Sequence, residues 1–429
     1  MGRFSFLLAA VKGLRKKKKK KKVRSKADDF ERRRRAMVEP DSKPISFDDI
    51  PEDLLMKILA KLQAKHVTRL MGVSQLWYSL IASRYFTKLF LESPASAKRP
   101  RMLMSLVDKA DKRQYKFLTS SSTHDDLSDT SVCVLDQVLN MPGLGGDFVN
   151  PLRGLICVRL RRSLRIFNLT TRQRVTLPVI RSRLVTEAND NIWNSFLHDS
   201  VHDEYKVLST VWEVSEDEGR VVRSEHQVLV LGPGASWRNT QGRIYPHRPY
   251  SSGIPLNDVD VLYYAAWIDK NVSVVISFDS ASEDFNMIEL PIEAGIIWHA
   301  TCASLMNYGG KLAVFECSRL PSNGSVDLWV MEDVGKWSKK TLVLPLSLMN
   351  FVHGDEFSMV GMNHRCLVMF VKTMVIPTEP RPFIHYDLET NKIIRRSEIS
   401  PLPRLGFFGF SLQMALWQDD IENIMYLET

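Results

Sequence analysis

Short apolar segments recur through residues 151–429, and they constrain the fold more than any other feature of the chain. Ten of them are GLICVRL, SLRIFNL, YKVLSTVWEV, HQVLVL, VLYYAAWI, VSVVISFD, KLAVFEC, VDLWVM, CLVMFVK and PFIHYDL. They are rich in Val, Ile, Phe, Tyr and Trp, and polar turn residues separate them, as expected of β-strands. Many short strands at regular spacing predict an all-β domain, either a sandwich or a propeller.

A weak internal repeat favours the propeller. Three segments read IFNLTTRQRVTLP, SFDSASEDFNMIELP and HYDLETNKIIRR. In each, a strand ends in an aromatic residue followed by Asn168, Asp279 or Asp387, and Thr or Ser stands three residues later. Asn and Asp suit such turns because their side chains accept hydrogen bonds from nearby backbone N–H groups. At roughly 40 to 50 residues per blade, the segment has room for about six blades.

A short helical segment precedes the β-region. Its first helix, predicted in IPEDLLMKILAKL, carries one broad apolar stripe, made of Leu54, Leu55, Ile58, Leu59 and Leu62. Two more short helices are predicted, the third beginning at a Ser74 cap. Three helices in about 40 residues cannot bury so many large side chains, so the leftover apolar surface predicts a docking module. The alternative is a helical subdomain packed on the rest of the chain.

The helical segment matches one family pattern at Pro51, Leu54, Leu55, Ile58, Leu59, Leu62, Lys65, Val73, Ser74, Trp77, Leu80, Ile81 and Phe86. With these residues the segment resembles an F-box. The segment departs from the family pattern at Ile50, Gln63 and Gly72. In that family the module docks on the small adaptor subunit of an SCF-type, cullin-based ubiquitin ligase. The resemblance therefore implies ten adaptor-binding residues: Pro51, Leu54, Leu55, Ile58, Leu59, Leu62, Val73, Trp77, Leu80 and Ile81.

The β-region contains an ordered set of segments: DEYKVL, SWR, LYYAAW, ISFD with a later LP, and VDLWVMEDVGKWSKKTLVLP. In order and spacing this set is similar to the F-box-associated domain of plant F-box proteins. One departure is NDVDV, where the family often has an Asn-Gly turn. The two resemblances imply an α+β multidomain protein. Its parts are a three-helix F-box at 44–90, a linker and first irregular or β segment at 91–150, and a propeller-like substrate-binding domain at 151–429.

Residues 1–43 form a basic tail. They hold 17 Lys and Arg against 5 Asp and Glu, whereas the whole chain has a net charge of +9, so the remainder is slightly acidic. Repulsion between like charges predicts a disordered tail. The sequence is typical of a nuclear localisation signal. The residues of this signal are Arg15, Lys16, Lys17, Lys18, Lys19, Lys20, Lys21, Lys22, Arg32, Arg33, Arg34 and Arg35.

The tail has two other interpretations. Either the tail is a polycation that carries no targeting signal, or it contacts a membrane surface. An amphipathic helix ahead of the lysines would place apolar residues against an anionic membrane. That face consists of Phe4, Leu7, Leu8, Val11 and Leu14. No apolar run reaches the roughly 20 residues that a membrane-spanning helix needs.

The chain has no recognisable catalytic, metal or cofactor motif. Its 5 cysteines never form C-x-x-C, which argues against a zinc site or a disulfide framework and favours buried thiols in a reducing compartment. His198 and His202 lie four residues apart in a segment predicted as strand, turn and strand, and no third ligand is apparent. We therefore predict a non-catalytic protein without metal or cofactor. Four tryptophans are either core residues or binding hot spots: Trp237, Trp267, Trp329 and Trp337.

The sequence thus predicts a substrate-recognition subunit of an SCF-type ubiquitin ligase. It would bind the adaptor through the F-box and a target protein through the β-domain, leading to ubiquitination and proteasomal degradation, in the nucleus and also in the cytoplasm. One alternative is a nucleic-acid- or chromatin-associated protein anchored by its basic tail, whose binding would depend steeply on salt. Another is a propeller hydrolase, which predicts a carboxylate- or His-lined central funnel.

Overall fold

The structure is a computed structural model. It describes residues 50–93, 101–108, 114–120, 130–133, 137–142, 146–188, 190–215, 219–242, 244–256, 260–270, 272–291, 303–352, 357–361, 367–372, 374–375, 381–399, 412–420 and 422–427. The predicted basic tail, with its nuclear and membrane interpretations, lies outside the described residues. The chain divides into two compact units, Met1–Leu55 and Met56–Thr429, and the boundary falls within the first helix.

Four short helices form between residues 52 and 92, where the sequence predicted three. They are α1 (Glu52–Leu59), α2 (Ala64–Leu70), α3 (Gln75–Ile81) and α4 (Arg84–Glu92). Ser74 caps α3 as predicted, because its Oγ accepts a hydrogen bond from the Trp77 N–H at 3.3 Å. The missed helix, α4, has the same kind of cap at Ser83 and buries Phe86 and Phe90, which are four residues apart on one face.

In the described part of the β-region, the structure has two further helices and a long series of strands. The helices are α5 (Leu320–Asn323) and α6 (Leu346–Val352). The strands are β1 (Arg101–Asp108), β2 (Gln114–Ser120), β3 (Thr130–Cys133), β4 (Gln137–Pro142), β5 (Asp147–Leu152), β6 (Leu155–Leu160), β7 (Ser163–Asn168), β8 (Arg174–Thr176), β9 (Ile192–Asp199), β10 (Glu204–Val214), β11 (Val221–Val230), β12 (Arg238–Asn239), β13 (Arg248–Pro249), β14 (Ile254–Pro255), β15 (Val261–Asp269), β16 (Val272–Asp279), β17 (Phe285–Glu289), β18 (Ala303–Tyr308), β19 (Lys311–Glu316), β20 (Ser325–Asp333), β21 (Lys336–Val343), β22 (Phe357–Gly361), β23 (Leu367–Lys372), β24 (Met374–Val375), β25 (Arg381–Asp387), β26 (Lys392–Ile399) and β27 (Leu412–Asp420). All ten predicted strand segments overlap these strands, so those predictions are confirmed.

Within the described residues the strands form six sheets. Four sheets are local antiparallel groups, numbered here from the first to the fourth: β5–β8, β9–β12, β13–β17 and β18–β21. The fifth sheet has the order β22-β23-β25-β26-β3, and the sixth has the order β24-β27-β1-β2-β4. In both, strands from the two ends of the β-region pair: β3 is parallel to β26, and β1 is antiparallel to β27. The segment 91–150 therefore contributes strands to these two sheets.

Consecutive sheets pack face to face. Clusters of buried side chains join the first sheet to the second, the second to the third, the third to the fourth and the fourth to the fifth. A sheet that is covered on both faces buries every side chain of its central strands. Residues 205–212 of β10, for example, are all buried. This explains why the sequence shows continuous apolar runs rather than a strict alternation of polar and apolar residues.

The internal repeat of the sequence is a repeated turn. At Asn168, Asp279 and Asp387, the side-chain Oδ1 accepts a hydrogen bond of 2.8 to 2.9 Å from the backbone N–H two residues later. The residue four positions on has a positive φ, between 58° and 65°. Asp199 makes the same turn, with Asp203 at a φ of 53°. The internal repeat of the sequence does not include this turn, because His198, rather than Phe or Tyr, precedes Asp199.

Candidate functional site

The ten predicted adaptor-binding residues differ in exposure. Leu54, Ile58 and Val73 are 51%, 48% and 64% exposed, and Pro51 is also exposed. Leu62 and Trp77 are half-buried, and the remaining four are buried: Leu55, Leu59, Leu80 and Ile81. Contact with a partner in this conformation requires exposed atoms. The prediction of direct contact therefore rests on the exposed and half-buried residues, while the buried ones stabilise the helices.

Exposed apolar side chains are concentrated in this helical module. Of the 17 large hydrophobic side chains that are exposed in the described residues, six lie between residues 54 and 85. They are Leu54, Ile58, Val73, Leu76, Tyr78 and Tyr85. Leu54 and Ile58 are one turn apart on α1, so they share one face. Concentrated exposure of large apolar side chains typically marks an interaction site.

Leu76, Tyr78 and Tyr85 were missing from the predicted set. Leu76, which is 56% exposed, precedes Trp77 on α3, and Tyr85 lies in the first turn of α4. The signal for Leu76 was present, since it lies between Ser74 and Trp77, two of the residues that match the F-box pattern. Tyr85 could be found only once the fourth helix had been recognised.

The carboxyl-terminal segment 422–427 contacts the helical module. Gln63 does not cap α2 with its own side chain. Instead, the Ala64 N–H donates a hydrogen bond of 3.1 Å to Glu422 Oε2, which places a carboxylate at the amino end of the helix. The ring of Tyr426 packs edge-on against Tyr78, with 5.7 Å between ring centroids.

The same segment is anchored in the β-region. Asn423 is fully buried, and its Nδ2 donates to the Arg153 carbonyl oxygen at 2.6 Å. Asn168 Nδ2 in turn donates to the Met425 carbonyl oxygen at 2.9 Å. Leu427 joins the core between the first and second sheets. Segment 422–427 therefore fastens α2 and α3 to the β-region, a contact between residues 358 apart that no local sequence pattern could predict.

A buried charged cluster joins the second and third sheets. Lys206 Nζ on β10 donates to Asp199 Oδ2 at 2.6 Å and to the Ser280 carbonyl oxygen at 2.8 Å, across the sheet boundary. Glu283 Oε1 lies 3.9 Å from Lys206 Nζ, and Glu283 also pairs with Arg238. Burial alone would raise the pKa of Asp199, but hydrogen bonds from Lys206 and His202 outweigh it and lower this pKa to about 2. All these groups are paired, which indicates a structural role.

Two buried histidines stack on each other where the second and third sheets meet: His226 lies on β11, and His247 directly precedes β13. The rings of His226 and His247 lie 4.7 Å apart. His226 Nδ1 is 3.1 Å from Thr210 Oγ1, and His247 Nε2 is 2.9 Å from Tyr264 Oη. Burial lowers the pKa of His226 to about 3 and that of His247 to about 4. Both rings are therefore neutral at pH 7.

These two histidines predict that the protein loses stability in mild acid. Their pKa values are lower in the folded state than the ordinary value of 6.5, so the stabilisation is complete above pH 6.5 and is lost as the pH falls toward about 4. Between pH 7 and pH 5 we expect the free energy of unfolding to fall by about 1 to 2 kcal/mol per histidine. Urea denaturation at the two pH values measures this. The variant His247→Gln should show a shallower pH dependence, and an unchanged slope would contradict the assignment.

The predicted histidine pair forms no metal site. His198 Nε2 lies 3.2 Å from Asp203 Oδ1, whereas His202 Nδ1 lies 2.7 Å from Asp199 Oδ2. Across the part of the chain that the structure describes, no group of three His, Cys, Asp or Glu residues is placed to hold a metal ion. None of the helices described there is long and apolar enough to cross a membrane.

The contacts of the four tryptophans and the burial of Cys157 indicate packing roles. Trp329 is buried, Trp267 stacks on Tyr250 at 4.2 Å, and the indole N–H groups of Trp237 and Trp337 donate to backbone carbonyl oxygens at 2.8 and 2.9 Å. The geometry therefore favours the core interpretation over hot spots.

Cys157 is a buried free thiol, and burial raises its pKa. The thiols of Cys133, Cys302 and Cys366 lie outside what the structure describes.

Exposed apolar side chains concentrated on short helices, of which α2 and α3 contact segment 422–427, are typical of a protein that binds other proteins. Residues 47–89 match the F-box domain, and residues 101–411 match the F-box associated beta propeller domain. The chain belongs to the family of F-box proteins that carry this β-propeller domain.

Relatives in Arabidopsis thaliana match over most of their length. One F-box protein is 48% identical, over 84% of this chain and 90% of that protein. A second F-box protein is 39% identical, over 76% of this chain and 86% of that protein. An F-box/kelch-repeat protein is 34% identical, over 93% of this chain and 94% of that protein. These matches support a plant F-box protein with a substrate-recognition role in SCF-type ligases, in which the F-box binds the adaptor subunit.

Proposed function

We propose that this chain recruits one target protein to an SCF-type ubiquitin ligase and so directs its ubiquitination and proteasomal degradation. The observation that carries the proposal is the concentration of exposed apolar side chains on the helical module, chiefly Leu54, Ile58, Val73 and Leu76. These residues would be covered by the adaptor. The chain itself would be non-catalytic and need no cofactor, because holding a target near the ubiquitin donor raises its effective concentration.

The contacts of segment 422–427 support this function. A receptor that works by proximity gains from a fixed orientation between its two binding surfaces. Glu422 and Tyr426 contact the helical module, and Asn423 and Leu427 are buried in the β-region. The bound target would therefore be presented to the ligase in one orientation rather than on a flexible tether.

We also propose that the six sheets are the blades of a closed propeller. Support comes from the antiparallel pairing of β1 with β27, which joins strands from the two ends of the β-region in one sheet. Such pairing is how a ring of blades closes. An electron cryomicroscopy map of the adaptor complex showing an open ring, or a number of blades other than six, would contradict this.

Co-purification with the adaptor tests the proposed function. When the full chain is co-expressed with an adaptor subunit from a plant, we expect the two to elute together from a size-exclusion column at a one-to-one ratio. The reconstituted ligase should then transfer ubiquitin to proteins captured by the β-domain. Separate elution of the two proteins at micromolar concentration would overturn the proposal.

We propose nuclear localisation through the basic tail, with an additional cytoplasmic pool. The run Lys16–Lys22 and the cluster Arg32–Arg35 have the composition of import signals. Replacing Lys16–Lys22 with glutamine should shift a fluorescent fusion from mostly nuclear to mostly cytoplasmic in plant cells. The control replaces Lys311 and Lys336, two exposed lysines of the fourth sheet, and should leave the nuclear fraction unchanged. An unchanged nuclear fraction in the tail variant would refute the proposal.

A further inference from the structure

A large basic groove lies between the segment that leaves the first sheet and the outer edge of the second sheet. It has a volume of about 940 Å³ and is lined by residues 179–183 and 224–227, together with Arg162, Asn239, Thr240, Gly242 and Ile244. The described residues that line it include three arginines, Arg162, Arg181 and Arg183, and one carboxylate, Glu225. The groove is therefore positive, although residues 44–429 taken together are slightly acidic.

The first wall of the groove is held in place by backbone hydrogen bonds. The Ile180 N–H donates to the Arg162 carbonyl oxygen at 2.8 Å, and Ile180 is fully buried in the core between the first two sheets. Arg181 and Arg183, on either side of Ser182, are both exposed. The main chain is thus fixed while the two guanidinium groups remain accessible, which favours binding without a large ordering cost.

A buried acceptor belongs to Gln227, one of the side chains that line the groove. Gln227 is 8% exposed, and its Nε2 donates to the Arg181 carbonyl oxygen at 3.0 Å, which fixes the orientation of the amide. Gln227 Oε1 is buried and has no hydrogen-bond partner among the described residues. A buried amide oxygen without a donor is costly, so a ligand N–H that reaches it would be favoured.

We propose that this groove binds an extended acidic segment of the target protein. Arg181 and Arg183 would pair with carboxylate or phosphate groups, and Gln227 Oε1 would accept a hydrogen bond from a backbone N–H of the segment. A polypeptide supplies both the anions and the N–H donors. The backbone of a nucleic acid supplies anions without such donors. The inference rests on the proposed function and names the chemistry by which the target is recognised.

Fluorescence anisotropy with defined peptides tests the proposal. All proteins are full chains in which Lys16–Lys22 are replaced by glutamine, so that the basic tail contributes less. The probes are fluorescein-labelled 12-residue peptides that alternate glycine with glutamate, phosphoserine or glutamine, at 150 mM salt. We expect the glutamate peptide, the phosphoserine peptide or both to bind, and the glutamine peptide not to bind. The stronger of the two anionic peptides identifies the source of the negative charge.

The decisive comparison is between two double variants that lose the same charge. Arg181→Gln with Arg183→Gln should weaken peptide binding at least about tenfold, or about 1.4 kcal/mol. The control, Lys392→Gln with Arg396→Gln, removes two exposed cations from β26 and should change binding less than about twofold. Equal weakening by both pairs, no binding of either anionic peptide, or stronger arginine-dependent binding of an oligothymidylate of the same charge would overturn the proposal.

Adaptor binding separates failure of this inference from failure of the proposed function. Arg181→Gln with Arg183→Gln lies outside the helical module and should leave co-purification with the adaptor unchanged. If neither anionic peptide binds but the adaptor does, the groove is not the target site and the proposed function stands. If the adaptor does not bind the unsubstituted chain, the proposed function fails.

Discussion

Replacing Leu54 and Ile58 with aspartate is expected to weaken adaptor binding at least about a hundredfold, or about 2.8 kcal/mol. Both side chains are about half exposed, at 51% and 48%, and they share one face of α1. Covering the exposed part of each contributes about 1 kcal/mol to binding. An ionised carboxylate at either position would also lose its hydration without gaining an ion-pair partner, which makes the free energy of binding less favourable by several kcal/mol. Isothermal titration calorimetry with the adaptor measures the change.

The control for this experiment makes the same chemical change outside the helical module. Val334 and Leu346 are 75% and 81% exposed in the β-region, so Val334→Asp with Leu346→Asp should leave adaptor affinity within about twofold. Leu59 is unsuitable because it is only 3% exposed, and a charge there would disrupt the helices. If the Leu54 and Ile58 variant binds normally while remaining folded by circular dichroism, α1 is not the docking element.

The substitution Lys206→Met is expected to lower the free energy of unfolding by about 3 kcal/mol. Lys206 is 3% exposed and provides the buried ammonium group that bonds Asp199 and the Ser280 carbonyl oxygen. Without it, Asp199 keeps only its bonds from His202 and from backbone N–H groups, and Glu283 keeps only Arg238. Breaking a buried ion pair is strongly destabilising because it leaves a carboxylate uncompensated. Equilibrium urea denaturation gives the value.

Lys311→Met is the matched control for this prediction. Lys311 pairs with Glu332 at the surface, where both side chains are about half exposed. The free energy of unfolding should therefore fall by less than about 1 kcal/mol. The difference between the two changes in unfolding free energy measures the effect of burying the ion pair, apart from the effect of losing a lysine. Comparable effects of the two substitutions would show that the cluster between the second and third sheets does not stabilise the fold.

The strands and their turns were the most predictable parts of the fold. Strands buried on both faces are mostly apolar along their length, so runs such as VSVVISFD stand out in the sequence. The repeated turn was visible too, because its geometry needs an oxygen acceptor at Asn168, Asp279 and Asp387. The segment 91–150 was harder to interpret. Its strands β1 and β3 complete sheets with β27 and β26, and such long-range pairing leaves little local signal.

The candidate site was only partly predictable. A helical stripe shows which residues are apolar, but it cannot show which of them the rest of the chain covers. Leu55 and Leu59 are buried whereas Leu54 and Ile58 are exposed, although all four belong to the same predicted stripe. The contact of Glu422 with Ala64 and the charged cluster around Lys206 depend on tertiary placement alone. They became visible only in the structure.

Hydrogen–deuterium exchange of the full chain, with and without the adaptor subunit, tests the central claim most directly. If the exposed apolar residues of the helical module form the docking surface, then peptides covering residues 50–62 and 73–85 should gain protection when the adaptor binds. Peptides from the first to the fifth sheets should exchange at unchanged rates. Protection confined to the β-region, with residues 50–62 and 73–85 unaffected in a saturated complex, would contradict the account.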